Sequence, residues 1–192
     1  MKKLGITGYI GSGKTTACMI FEHLGIPVYY SDKQAKEAYK QAEIQEQIVQ
    51  IAGASVYEHG VLNTSALADI IFRQPEKLAL VNGIIHPYVW NHFLQWCERQ
   101  ESAYILFESA ILFQTGWQSR FDDVILIRTP MEELYNRIQF RNHWTIEQIS
   151  RRLQQQNISS DAVETCKYIV DNAEADLMLP QILQIHNEIL SE

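Results

Sequence analysis

Short apolar runs alternate along this chain with longer stretches in which apolar residues recur at helical spacing. Lys3-Leu4-Gly5-Ile6-Thr7, Val28-Tyr29-Tyr30, Ala103-Tyr104-Ile105-Leu106-Phe107, Asp123-Val124-Ile125-Leu126-Ile127 and Tyr168-Ile169-Val170-Asp171 read as strands. Continuous apolar runs mark strands buried on both faces, as in a parallel sheet. Helices are predicted from about Lys14 to Leu24, stopped by Gly25-Ile26-Pro27, and from Asp32 to Ala52, where no Gly or Pro intervenes. A longer helical region runs from Ser65 to Gln100, interrupted at His86-Pro87 because proline disfavours the helical conformation of the residue before it. Met131 to Arg141 and Ala175 to Leu190 complete the helices, and Thr145-Ile146-Glu147-Gln148 forms a capping box. Strands alternating with helices imply right-handed crossovers and helices on both faces of the sheet. The helical block between Leu62 and Glu101 is longer than a crossover needs and predicts a cap over the sheet edge.

Composition narrows the class. With 192 residues, 46% hydrophobic and 20% charged, the chain is long enough for a sizeable core and excludes wholesale disorder. Its 16 Lys+Arg against 23 Asp+Glu give a net charge of -7, which argues against nucleic acid as a partner. No apolar window approaches the ~20 residues of a membrane span, and the start lacks a signal peptide's apolar stretch. A cytoplasmic protein without a membrane partner is therefore expected. A monomer or weak homo-oligomer is the expected assembly, a reading that composition does not supply. Cys18, Cys97 and Cys166 are widely spaced and lack zinc-type spacing with the six histidines, so they read as buried reduced thiols.

One motif adds chemistry. Gly8-Tyr9-Ile10-Gly11-Ser12-Gly13-Lys14-Thr15 matches G-x-x-x-x-G-K-[ST] at every fixed position, between a predicted strand and a predicted helix. A chance match in a chain this long is on the order of one in a hundred. Glycines let the backbone wrap a phosphate closely, and the helix N-terminus adds partial positive charge. Lys14 is placed to reach the β- and γ-phosphates and the Thr15 hydroxyl to coordinate Mg²⁺. Gly8, Gly11, Ser12, Gly13, Lys14, Thr15 and Thr16 are thus the candidate positions for binding a nucleoside triphosphate, with ATP favoured. The chain lacks an Asn-Lys-x-Asp guanine signature and an obvious basic track, so a small-molecule kinase fits better than a GTPase or a DNA-dependent ATPase.

Other residues have two readings. Asp32, just past the second strand, stands at the edge where open parallel sheets bind ligands, but an Asp there also caps helices. Arg137 and Arg141 share one helix face, and Arg151 and Arg152 follow on the next helix. Taken singly each suits a solvated face; four of 16 basic residues within 16 positions of an acidic chain suggest a lid over a triphosphate. Glu108 ends an apolar strand, where phosphate-loop proteins place a metal-associated acid. It suits either Mg²⁺, through water, or the acceptor. His86 reads more readily as an N–H donor packing the cap than as a base.

Taken in order, the phosphate turn, Ser31-Asp32, Gly60-Val61-Leu62-Asn63, Ile71-Phe72, Leu80-Val81-Asn82 with Ile85-His86-Pro87, Glu108 to Phe113, Arg137 and Arg141, Arg152 with Gln156, and Tyr168 to Asn172 resemble the dephospho-CoA kinase family nearly end to end. The resemblance implies transfer of the ATP γ-phosphoryl group to the ribose 3′-hydroxyl of 3′-dephospho-CoA, with Mg²⁺. It implies Asp32 as catalytic base, Arg141 and Arg137 as phosphate contacts, Asn172 near the adenine, His86 at the acceptor, and Glu108, which stands where the family usually has Asp, at either the metal or the acceptor. Tyr9, Lys36, Thr64, Ala110, Gln114 and Cys166-Lys167 depart from the family's customary residues.

The expectation is one α/β phosphate-loop NTPase domain over 1–192, three-layered around a five-stranded parallel sheet. Its core covers about 1–52, 103–136 and 165–192, its helical acceptor cap about 53–102 and its helical lid about 137–160. The alternatives are a nucleoside or nucleoside monophosphate kinase of the same fold, and a regulatory ATP-binding module.

Overall fold

The apolar runs form a sheet of β1 (Lys2–Thr7), β2 (Val28–Tyr30), β5 (Tyr104–Glu108), β6 (Asp123–Arg128) and β7 (Tyr168–Asp171), all parallel, in the order β2-β5-β1-β6-β7. β2 and β5 lie to one side of β1 and β6 and β7 to the other, so the carboxyl end of β1 sits at the topological switch point, where open α/β sheets bind ligands. The computed structural model describes residues 1–156 and 158–192, in two units: Met1–Tyr30 with Gln100–Glu192, and Ser31–Arg99.

In the first unit, α1 (Lys14–His23) and α9 (Met178–Ser191) cover one face of the sheet. Ala17, Cys18 and Phe21 meet Leu4, Ile6, Tyr104, Leu106, Ile125 and Ile127, and Ile182, Ile185 and Ile189 close the cluster. At roughly 1.5–3 kcal/mol for each large side chain removed from water, this cluster dominates the unit's stability. At β5, Phe107 stacks on Tyr29 and meets Trp117 and Phe121 from the segment that follows. α6 (Met131–Asn142), α7 (Ile146–Gln156) and α8 (Ser160–Glu164) run between β6 and β7. The first two share a small core of their own, Leu134 and Ile138 against Ile149 and Leu153. The capping box forms: Gln148 N–H donates to Thr145 Oγ1, and Thr145 N–H to Gln148 Oε1. The expected lid, 137–160, spans residue 157, which lies outside the described residues.

The second unit contains α2 (Ser31–Ala38), α3 (Ala42–Ala52), a hairpin of β3 (Tyr57–Glu58) and β4 (Val61–Leu62), α4 (Thr64–Arg73) and α5 (Pro75–Cys97). It begins earlier than the expected cap and includes α2 and α3. Three local readings need correction. The helix expected over Asp32–Ala52 breaks at Tyr39–Gln41, where the N–H groups of Lys40 and Gln41 donate to Glu37 and Ala38 in tight turns. The break expected at His86-Pro87 falls instead at Gln74, ahead of Pro75. Proline at the first helical position gives up an N–H that has no partner anyway. Pro87 remains inside α5, where it costs ~3 kcal/mol. Burial of Val81, Ile85, Val89, Phe93 and Cys97 at four-residue spacing offsets that, and Gly83, whose carbonyl loses its donor, is exposed. The hairpin was not expected; its turn, His59-Gly60, has positive φ at both positions, the twist a two-residue hairpin requires.

All three cysteines are buried and outside any disulfide among the described residues, as expected of reduced thiols. No described helix is long and apolar enough to cross a membrane.

Candidate active site

β1 ends at Thr7, and residues 8–13 turn the chain into α1. Gly13, the N-cap, is left-handed at φ 95°, and a Cβ on it would lie 2.4 Å from Asn172 Nδ2. Gly8 has φ 150°, and a Cβ there would lie 2.4 Å from the Ile127 carbonyl. Both positions need glycine for space as well as for conformation. The first turn of α1 carries no acidic residue, which preserves the helix N-terminus as a site for negative charge. Lys14 is only 8% exposed and its Nζ donates to the carbonyls of Gly8 (2.9 Å) and Tyr9 (3.2 Å), holding the ammonium inside the turn. Thr15 and Thr16 are exposed at the start of α1.

Two hydroxyls at this turn, Thr7 Oγ1 and Ser12 Oγ, are buried without a hydrogen-bond partner among the described residues. Buried polar atoms are normally satisfied, so unmet groups in a phosphate turn fit a site completed by a polar ligand. Mg²⁺ keeps several waters and takes one or two protein oxygens plus substrate phosphates, a demand the exposed Thr15 hydroxyl fits.

Behind the turn lies a brace assembled from distant sequence. Ser12 O accepts from Asn172 Nδ2 (2.7 Å) and from Thr129 Oγ1 (3.1 Å). Asn172 O accepts from Arg137 Nη2 (2.9 Å), and the same guanidinium nitrogen donates to Glu133 (2.7 Å). Asn172 itself is held by its N–H to the Arg128 carbonyl at the end of β6. Arg137 and Asn172 thus meet the turn through one network. Thr129 is a site residue that reading the sequence misses; the usable signal is its place just past β6, the neighbour of β1.

Glu108 is buried at the end of β5, paired in register with Ile6 and Tyr30. Burial pushes the Cys18 thiol well up, and the charges of Glu108 and Glu22 add to this while Lys14 opposes it. The buried acid and the turn's lysine therefore share one electrostatic neighbourhood. Arg141 is exposed in the last turn of α6, its Nε donating to Asn142 Oδ1 (3.0 Å). Arg152 lies over the Trp144 ring, 5.8 Å from its centroid.

Two candidates belong to the second unit. Asp32 is exposed in the first turn of α2, where the helix dipole favours its carboxylate; the helix begins one residue earlier, at Ser31. His86 is half-buried in α5, and desolvation holds its imidazole below the usual histidine range.

Known proteins similar to this chain point to one family. The dephospho-CoA kinase family model matches residues 3–176. Dephospho-CoA kinase of Porphyromonas gingivalis is 38% identical over 96% of this chain and 93% of its own length. Among solved structures, TT1252 from Thermus thermophilus aligns over 99% of this chain and 96% of its own, with 26% identity and a TM-score of 0.86. Dephospho-CoA kinase from Campylobacter jejuni has the same fold, with a TM-score of 0.72 over 97% of this chain and 96% of its own at 21% identity. The sheet order, the phosphate turn and the match across nearly the whole sequence lead to one conclusion: the chain belongs to the dephospho-CoA kinase family, whose members are ATP-dependent phosphotransferases with an alcohol acceptor.

Proposed function

We propose that this chain transfers the γ-phosphoryl group of ATP to the ribose 3′-hydroxyl of 3′-dephospho-CoA, giving ADP and CoA, the last step of coenzyme A synthesis. The observation that supports this most is the family match over residues 3–176, with the complete phosphate turn at the switch point of the sheet. The loop amides from Gly11 to Thr16 and the Lys14 ammonium hold the phosphates, Lys14 exchanging loop carbonyls for phosphate oxygens. Thr15 holds Mg²⁺, with Glu108 serving either the metal through water or the acceptor. Bound there, Mg²⁺ supplies charge neutralisation on the phosphate oxygens. Asp32 accepts the proton of the 3′-hydroxyl as its oxygen bonds to the γ-phosphorus and ADP leaves. Arg141 and Arg137 stabilise the charge on the group in transfer. Asn172 bears on the nucleotide by fixing Ser12 and Gly13, and His86 contributes to acceptor binding. The protein works in the cytoplasm, as a monomer or weak homo-oligomer, on small molecules and without nucleic acid or membrane.

Two substitutions test the roles. Asp32→Asn is expected to lower kcat by at least ~10²-fold while ATP affinity stays within about twofold. Lys14→Ala is expected to weaken ATP binding and turnover together. Normal turnover with impaired ATP binding in Asp32→Asn would make Asp32 a structural residue.

A further inference from the structure

Gln156 is the last residue of α7 and is only 7% exposed. A buried amide has a donor end and an acceptor end, and each needs a partner. Both are met here. Oε1 accepts the backbone N–H of Ile10 at 2.7 Å, and Nε2 donates to the carbonyl of Ala110 at 3.0 Å. Ile10 lies in the phosphate turn between Gly8 and Gly11, and Ala110 lies two residues past Glu108. One side chain therefore ties the turn to the loop that follows the buried acid, and ties both to the helix that carries Arg151 and Arg152.

The turn touches the same helices elsewhere. Tyr9 and Ile10 pack against the cluster of Leu134, Ile138, Ile149 and Leu153. The Tyr9 hydroxyl donates to the Ile158 carbonyl at 3.3 Å, just past α7. A Cβ on Gly11 would lie 2.9 Å from Ile138 Cγ1, so the turn rests directly on α6. These contacts hold the turn in place, and Gln156 reaches both the turn and the Ala110 carbonyl.

We propose that Gln156 is a positioning residue for phosphoryl transfer: its amide sets the phosphate turn, at Ile10, against the loop after Glu108, at Ala110, and keys α7 to both. The proposal rests on phosphoryl transfer as the reaction of this site. Chemistry restricts the position to an amide of this length. Methionine fills the space without a donor or acceptor. Glutamate keeps the acceptor for Ile10 N–H but has no proton for the Ala110 carbonyl unless the carboxyl is protonated, when it meets both.

The test uses the full chain at a temperature well below its melting point. Gln156→Met is expected to weaken equilibrium binding of MgATP, measured by calorimetry without acceptor, by at least about tenfold. It is also expected to lower kcat by at least about tenfold, with the KM for dephospho-CoA within about twofold of wild type. Because burial at this position pushes a carboxyl above the free-glutamate value near 4.3, Gln156→Glu is expected to regain activity relative to wild type as pH falls from about 7 to about 5, a pH response that a purely packing role does not produce. Should Gln156→Met not fold, Gln156→Glu carries the test. Wild-type MgATP affinity and kcat in Gln156→Met, or a ratio of Gln156→Glu to wild-type activity that stays flat with pH, overturns the proposal. The calorimetric arm reads the turn whatever the acceptor. Failure of the kinase reading itself appears separately, as wild-type protein that binds MgATP and releases no ADP with dephospho-CoA.

Discussion

Gly13 shows how much of this site depends on single atoms. Its φ of 95°, and the 2.4 Å that would separate a Cβ there from Asn172 Nδ2, leave no room for a side chain. Gly13→Ala combines backbone strain with displacement of the Asn172 amide from Ser12 O. The strain alone costs ~1–3 kcal/mol. A chain of this size loses roughly 2–4 °C of Tm per kcal/mol, so a melt should show a drop of several degrees, with weaker ATP binding in titration. An unchanged melting temperature and ATP affinity would contradict the brace. At this scale the turn's glycines, Lys14 and Thr15 were legible because the chemistry of a phosphate cradle sits in eight consecutive residues. The Asn172 bond was not, since 160 residues separate its partners and only the fold brings them together. Thr129 escaped for the same reason: a threonine after a strand has no local mark of what it will brace.

Between elements, the carboxyl ends of β6 and β7 are joined by an ion pair. Arg128 Nη2 donates to Asp171 Oδ2 at 2.8 Å, and Arg128 Nε donates to the other oxygen. Arg128 holds the Asp171 carboxyl below the usual carboxylate range. Because the folded value is the lower one, this contribution is present above the unfolded value near 4 and is lost as pH falls through the folded value. Both side chains are substantially exposed, so the effect is small. Asp171→Asn should lower Tm by a few degrees at most at pH 7, and the difference from wild type should shrink in melts taken below pH 4. A deficit that stays constant with pH would assign the loss to packing rather than to charge. Element boundaries were less legible than elements. The strands announced themselves as apolar runs, whereas the break at Tyr39–Gln41 has no glycine or proline to mark it. Pro87 misled because proline's local preference is outweighed by the buried stripe of α5. The β3–β4 hairpin was hidden by strands of two residues each.

For the whole molecule, a net charge of -7 and a polyanionic substrate are compatible because only the binding region must be positive. The turn amides, Lys14 and the arginines from Arg137 to Arg152 concentrate that charge in the unit that carries the sheet. The parallel sheet was legible from strand and helix alternation, and the acceptor from ordered motifs rather than from any single residue. Shikimate kinase from Acinetobacter baumannii has the same fold at a TM-score of 0.56 and 18% identity, so the fold alone does not choose the acceptor. The most direct measurement is ADP release in a coupled assay with MgATP and, separately, dephospho-CoA, AMP, CMP, uridine, shikimate or no acceptor. The account predicts release that rises strongly above the acceptor-free rate with dephospho-CoA and stays near that rate with the others. Stimulation by a nucleoside, a nucleotide or shikimate without stimulation by dephospho-CoA would contradict it.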